Sequence, residues 1–95
     1  MYRQETAKLR AITRSAAFRM VLDPHAERRM AERDIARFEV EKVLKAGFVA
    51  MIQTEVDGSE RWRVAGRDAD GERIEVVIEP LPPTMVVVVT AIRVG

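Results

Sequence analysis

The arrangement in this chain best suited to chemistry is a lone histidine followed four and eight residues later by arginines: His25, Arg29 and Arg33. On a helix these positions form one slowly rotating stripe. An imidazole can accept and return a proton near neutral pH. Guanidinium groups can hold a phosphate through paired N–H donors. At the start of a helix the macrodipole disfavours a charged imidazole, and neighbouring guanidinium groups push the same way. The spacing therefore predicts a neutral histidine, free to act as a general base. The same residues also suit a solvated basic helix face with no ligand at all.

Arg61, Arg63 and Arg67 form a second basic cluster, alternating with Trp62 and Val64 as on one face of a strand. Glu75 and Glu79 occupy the polar face of the next predicted strand. Cross-strand ion pairing explains both sets without a ligand, and an anion-binding patch is the rival explanation. Trp62 points opposite to the arginines, so it belongs in the core rather than stacked on a base. The absence of cysteine excludes disulfides, cysteine-bound zinc, iron–sulfur clusters and thiol nucleophiles. With one histidine and carboxylates scattered singly, no metal or other cofactor is expected. There is no glycine-rich phosphate loop, G-x-S-x-G elbow or H-E-x-x-H helix.

The elements that must position these residues are legible in outline. Thr6, Leu9 and Ile12 recur at helical spacing, which predicts a short helix over Gln4–Arg14. Residues 1–16 would then be a flexible or helical N-terminal arm. Phe18, Met20 and Leu22 alternate as in a brief strand. Asp23-Pro24 is a helix start, a side-chain cap followed by the residue best suited to the first turn. That helix runs to about Arg33, buries Ala26 and Met30, and pairs Arg28 with Glu32 outside. A second, Ala36–Ala46, buries Val40, Val43 and Leu44, sets Glu41 four residues before Lys45, and ends at a left-handed Gly47.

The second half reads as sheet. Strands around Phe48–Ile52, Arg61–Arg67, Ile74–Glu79 and Met85–Arg93 are separated by Asp57-Gly58, Asp70-Gly71 and the Pro80–Pro83 break. The last strand, with Val86, Val87, Val88 and Val89, is apolar on both faces and belongs inside a sheet. The expected fold is α+β: short N-terminal helices followed by a four-stranded antiparallel sheet, with the last strand central. Helices would cover one face and a partner the other.

At 95 residues, 47% hydrophobic and 33% charged, the chain builds one globular domain over 1–95. No signal-peptide stretch or membrane span is visible, so the expected setting is cytoplasmic, with no membrane partner. The net charge of +1 is unevenly spread: five basic residues against one acid over 1–22, balance over 23–45, and five against eight over 46–95. The basic beginning suits either a polyanion or a solvated terminus.

The run from His25 to Ile35 resembles the H-A-x-x-R-M-x-x-R-x-I signature of a bacterial domain of unknown function. Arg61, the D-x-D-G turn Asp68-Ala69-Asp70-Gly71 and the closing Val87–Thr90 fit the same family. That family is similar to the RelE/ParE-type toxins, whose compact fold sets helices before an antiparallel sheet. The resemblance implies a toxin-like, metal-independent RNA endonuclease, with an antitoxin protein and RNA or the ribosome as partners. It gives His25 the proton transfer, with Glu60 or Glu75 as a second group, and sets Arg29 and Arg33 beside it in the catalytic site. Arg28, Arg61 and Arg63 would bind RNA phosphate. The alternative is a non-catalytic protein-binding module, gyrase-poison-like or other, whose His/Arg helix is structural. A homodimer would equally cover the valine strand.

Overall fold

The computed structural model describes residues 2–94. Three helices precede most of the sheet: α1 (Arg3–Arg14), α2 (Pro24–Glu32) and α3 (Arg37–Ala46). Five strands complete the fold: β1 (Arg19–Leu22), β2 (Phe48–Thr54), β3 (Glu60–Arg67), β4 (Arg73–Leu81) and β5 (Met85–Val94). The α+β class holds, but the sheet has five strands in the order β1-β5-β4-β3-β2 and is mixed, not four-stranded and antiparallel. β1 runs parallel to β5, pairing Arg19 with Met85 and Leu22 with Val88. A parallel pair needs a long crossover, and here everything from α2 to β4 serves as one. β5 is interior, paired on both sides, while β4 is the middle strand.

Local signals explain the helices. The Asp23 carboxylate accepts the His25 N–H at 2.8 Å, capping α2, and Pro24 opens it. Ala26 and Met30 are buried as their spacing demands, and so is Ile35 just beyond the helix. The external pair is Arg29–Glu32 at 3.0 Å, not Arg28–Glu32; on α3, Lys45 pairs with Glu41 at 3.0 Å. α1 is no loose arm. It buries Leu9, Ile12 and Thr13 and packs on α3 and β2.

Gly47 ends α3 in extended backbone, φ −78°, not in the left-handed region. Glycine is needed there for close approach. An added Cβ would lie 2.3 Å from the Ala65 carbonyl oxygen and 2.6 Å from that of Val43. The turn at Gly58 is left-handed, φ 88°, as Asp-Gly hairpins require.

All three helices cover one face of the sheet. α2 lies on β5 and β1, α3 on β3 and β4, and α1 beside β2. Between these layers sit Met20, Val49, Trp62, Val64, Ile74, Val76, Ile78, Val86, Val88 and Ala91, joined to the helical residues in one apolar core. The other face is uncovered. Cross-strand partners share a face, so the register places Val21 and Val87 there at one end, and Met51 with Arg63 at the other. β4 contributes Glu75, Val77 and Glu79 to the same open face.

Candidate functional site

The signature helix divides its residues sharply between the fold and the solvent. Ala26, Met30 and Ile35 fill the core. Arg33 turns towards the sheet, where its Nη1 donates to the Ala91 carbonyl at 2.8 Å and to the Thr90 hydroxyl at 3.4 Å. That makes it a clamp between α2 and β5. Arg28 is exposed, with no ion pair among the described residues. His25 is also exposed, and Arg29 donates from Nε to His25 Nε2 at 3.4 Å while its Nη1 holds Glu32. In that contact the acceptor is Nε2, on a side chain of an exposed residue. Among the described residues the imidazole makes no hydrogen bond to another element.

A polar knot around the buried Asp68 lies just past the end of α2, joining residues far apart in the chain. Arg93 donates from Nη1 to Asp68 Oδ2 at 2.6 Å, from Nε to the Arg33 carbonyl at 3.2 Å, and from Nη2 to the Asp34 carbonyl at 2.6 Å. Glu39 stands 3.7 Å from the same guanidinium and accepts the Ala36 N–H at 2.9 Å. Asp34 adopts a left-handed conformation, φ 54°, in the turn that Arg93 secures. Asp68 is only 4% exposed, and its Oδ1 accepts the amides of Asp70 and Glu72. Burial works against its ionisation. The Glu72 amide, the Arg93 guanidinium and the Asp70 amide outweigh that and hold the carboxyl below its ordinary range. The hydrogen bond to Asp68 in turn raises the Arg93 guanidinium further. The D-x-D-G turn is thus a structural clasp whose first aspartate has no spare oxygen for a ligand.

Arg61 and Arg63 project from β3 on the open face, with the sheet between them and α2. Arg63 pairs with Glu75 at 3.3 Å, and Arg61 lies 3.9 Å from Glu79 and 3.8 Å from Glu55. Arg73 takes the second oxygen of Glu75 at 3.1 Å. Cross-strand pairing therefore neutralises much of the patch. Glu60 accepts the indole N–H of buried Trp62 at 2.9 Å, so neither Glu60 nor Glu75 stands beside His25. The predicted residues separate into an exposed pair, His25 and Arg29 with Arg28 nearby, a clamp, Arg33, and a remote paired patch, Arg61 and Arg63. Among the described residues no group of three or more histidine, aspartate or glutamate side chains is placed to hold a metal ion. None of the described helices is long and apolar enough to cross a membrane.

Fold and site together define a small α+β domain whose capped helix presents a histidine–arginine pair to solvent beside a mixed sheet. The chain belongs to the family described as Domain of unknown function (DUF4258), matched over residues 22–93, which spans α2, α3 and nearly all of the sheet. No curated protein and no solved structure matches it.

Proposed function

We propose that this domain is a toxin-like RNA endonuclease that needs no metal and works from the exposed face of α2. The observation that carries this reading is the His25–Arg29 pair: an imidazole nitrogen and a guanidinium 3.4 Å apart, on an exposed histidine, with neither side chain bonded to another element among the described residues. The resemblance of the helix to a family likened to RelE/ParE-type toxins supports the same reading, and an antitoxin would be the natural protein partner. His25 Nε2 takes the proton of a ribose 2′-hydroxyl, and the oxygen attacks the adjacent phosphorus. The P–O5′ bond breaks to leave a 2′,3′-cyclic phosphate. Arg29 releases Nε2 and turns its N–H groups to the phosphorane oxygens as their charge builds. O5′ leaves with a proton from water or from the His25 imidazolium, because Glu60 and Glu75 are held elsewhere.

The test is incubation of the purified protein with RNA, with and without ribosomes, in chelator, beside His25→Ala and Arg29→Ala. Cleavage by the wild type that both folded variants lose, by about 100-fold or more for His25→Ala, is the expected result. Equal cleavage by His25→Ala overturns it.

A second reading has its own observation. Val21, Met51 and Leu81 are each more than a third exposed, and none lies under a helix. Together with the neutralised arginines, they suit a non-catalytic module that docks a protein, gyrase-poison-like or other, or a second copy of itself. RNA left intact in both reactions by well-folded protein moves the conclusion to this reading.

A further inference from the structure

The two edges of the sheet are finished differently. β1 is four residues long, and Arg37 Nη2 donates to the Met20 carbonyl at 2.8 Å, which occupies that edge. β2 is seven residues long, Phe-Val-Ala-Met-Ile-Gln-Thr, with no charge and no proline. Edge strands of folded domains usually carry such protection, because their free amides and carbonyls recruit another strand. Its first turn is blocked: Thr6 accepts the Val49 N–H at 3.0 Å, and a bulge separates Val49 from Met51. From Met51 to Thr54 no hydrogen bond among the described residues reaches the backbone other than those to β3.

Around Phe48 this edge is apolar and cationic, whereas Glu55 and Glu60 flank its Thr54 end. Phe48 is 50% exposed and Met51 51% exposed. Phe48 stands where three hollows meet. The largest, about 380 Å³, lies between α1 and β2 and is lined by Tyr2, Arg3, Thr6 and Val49 beside Phe48. The second, about 320 Å³, is bounded by the end of α3 and by β3, with Lys42 and Arg67 at its rim. The third brings in Arg73. No carboxylate lines any of the three. Arg3, Lys42 and Arg67 form no ion pair among the described residues.

We infer that the β2 edge is a docking site for an extended, acidic and apolar segment of a partner protein, which adds to the sheet as a sixth strand. Main-chain hydrogen bonds to Met51–Thr54 supply the attachment. Alternate apolar side chains of the segment fill the hollow beside Phe48, and its intervening carboxylates meet Arg3, Lys42 and Arg67. Open main-chain donors and acceptors in a row favour a peptide over RNA, which has no strand to add. The site stands at the opposite end of the sheet from α2, so it does not depend on what His25 does.

The test uses an N-acetylated ten-residue peptide alternating valine with glutamate, titrated against the full chain by NMR and fluorescence anisotropy. Saturable binding with slowed amide exchange over Met51–Thr54 is expected. Phe48→Ala should weaken it about tenfold. Arg67→Glu, which gives up one bond to the Gly71 carbonyl, should weaken it several-fold and flatten its dependence on salt, with circular dichroism checking that the variant is folded. Four results would overturn the inference: no binding; equal binding of the lysine-for-glutamate peptide; tighter binding of a ten-nucleotide RNA that protects the same amides; or protection of those amides in a dimer before peptide is added.

Discussion

The two ends of α2 carry the same residue types and have opposite fates. At its N-terminal end the hydrogen bonds of His25 and Arg29 outside the helix backbone are, among the described residues, with each other, Asp23 and Glu32, all on the same stretch of chain. At its C-terminal end Arg33 bonds to β5, and Arg93 ties the Arg33 and Asp34 carbonyls to Asp68 in the β3–β4 turn. An arginine there is a fastener, and one turn earlier it bonds within its own helix. A basic motif is thus a poor guide to a binding site until each guanidinium has been asked where its N–H groups go.

Substitutions can break or sharpen that contrast. Met30→Ala should have the largest effect, about 3 kcal/mol from the cavity left under α2, or a fall in Tm of more than about 10 °C by calorimetry. A fall of only a degree or two would mean that α2 is not clamped as described. Arg93→Ala should come next, since it leaves Asp68 buried with an unpaired oxygen and frees the Asp34 turn. Thermal melts should place it between Met30→Ala and Arg33→Ala. The last removes a charged hydrogen bond from a half-buried site and should cost about 1 kcal/mol.

Acid should act through the same knot. The Asp68 carboxyl titrates below its ordinary value in the folded protein. Its contribution is fully present above the unfolded value of 3.8 and is lost as pH falls from there through the lower folded value. The gap in Tm between wild type and Asp68→Asn should therefore be constant near neutrality and shrink below about pH 4. A gap unchanged at pH 3 would contradict that linkage. The smallest effect on stability belongs to His25→Ala, within about 0.5 kcal/mol of wild type. A large drop there would move His25 to the fastened end of the helix.

Much of this was legible in the chain. Asp23-Pro24 set the start of α2, Ala26 and Met30 its buried side, and Asp57-Gly58 the β2–β3 turn, because each signal is local. Arg33 was misread for a geometric reason. Each four-residue step advances a helix by about 400°, so a stripe drifts about 40° per step and Arg33 has turned about 80° from His25. That rotation takes it from solvent to the sheet. The Arg93–Asp68 knot could not be read at all, since it joins residues that only the completed topology brings together. For β1, the alternation of Phe18, Met20 and Leu22 revealed a strand but not its parallel partner, which lies near the other end of the sequence. Gly47 showed a helix end, while the reason for glycine lay in the approach of β3. The ion pairs of Arg61 and Arg63 followed from simple alternation on neighbouring strands.

The parallel pairing of β1 with β5 also bears on how the chain matures at the ribosome. Synthesis runs from the N-terminus, so β1 and α2 emerge long before the strand that both must pack against. Until Met85–Val94 has been made, α2 has no β5 beneath it and Arg33 no carbonyl at Ala91. The His25 helix can dock on the sheet only after this stretch is complete, so a nascent chain stalled before Met85 should leave α2 undocked.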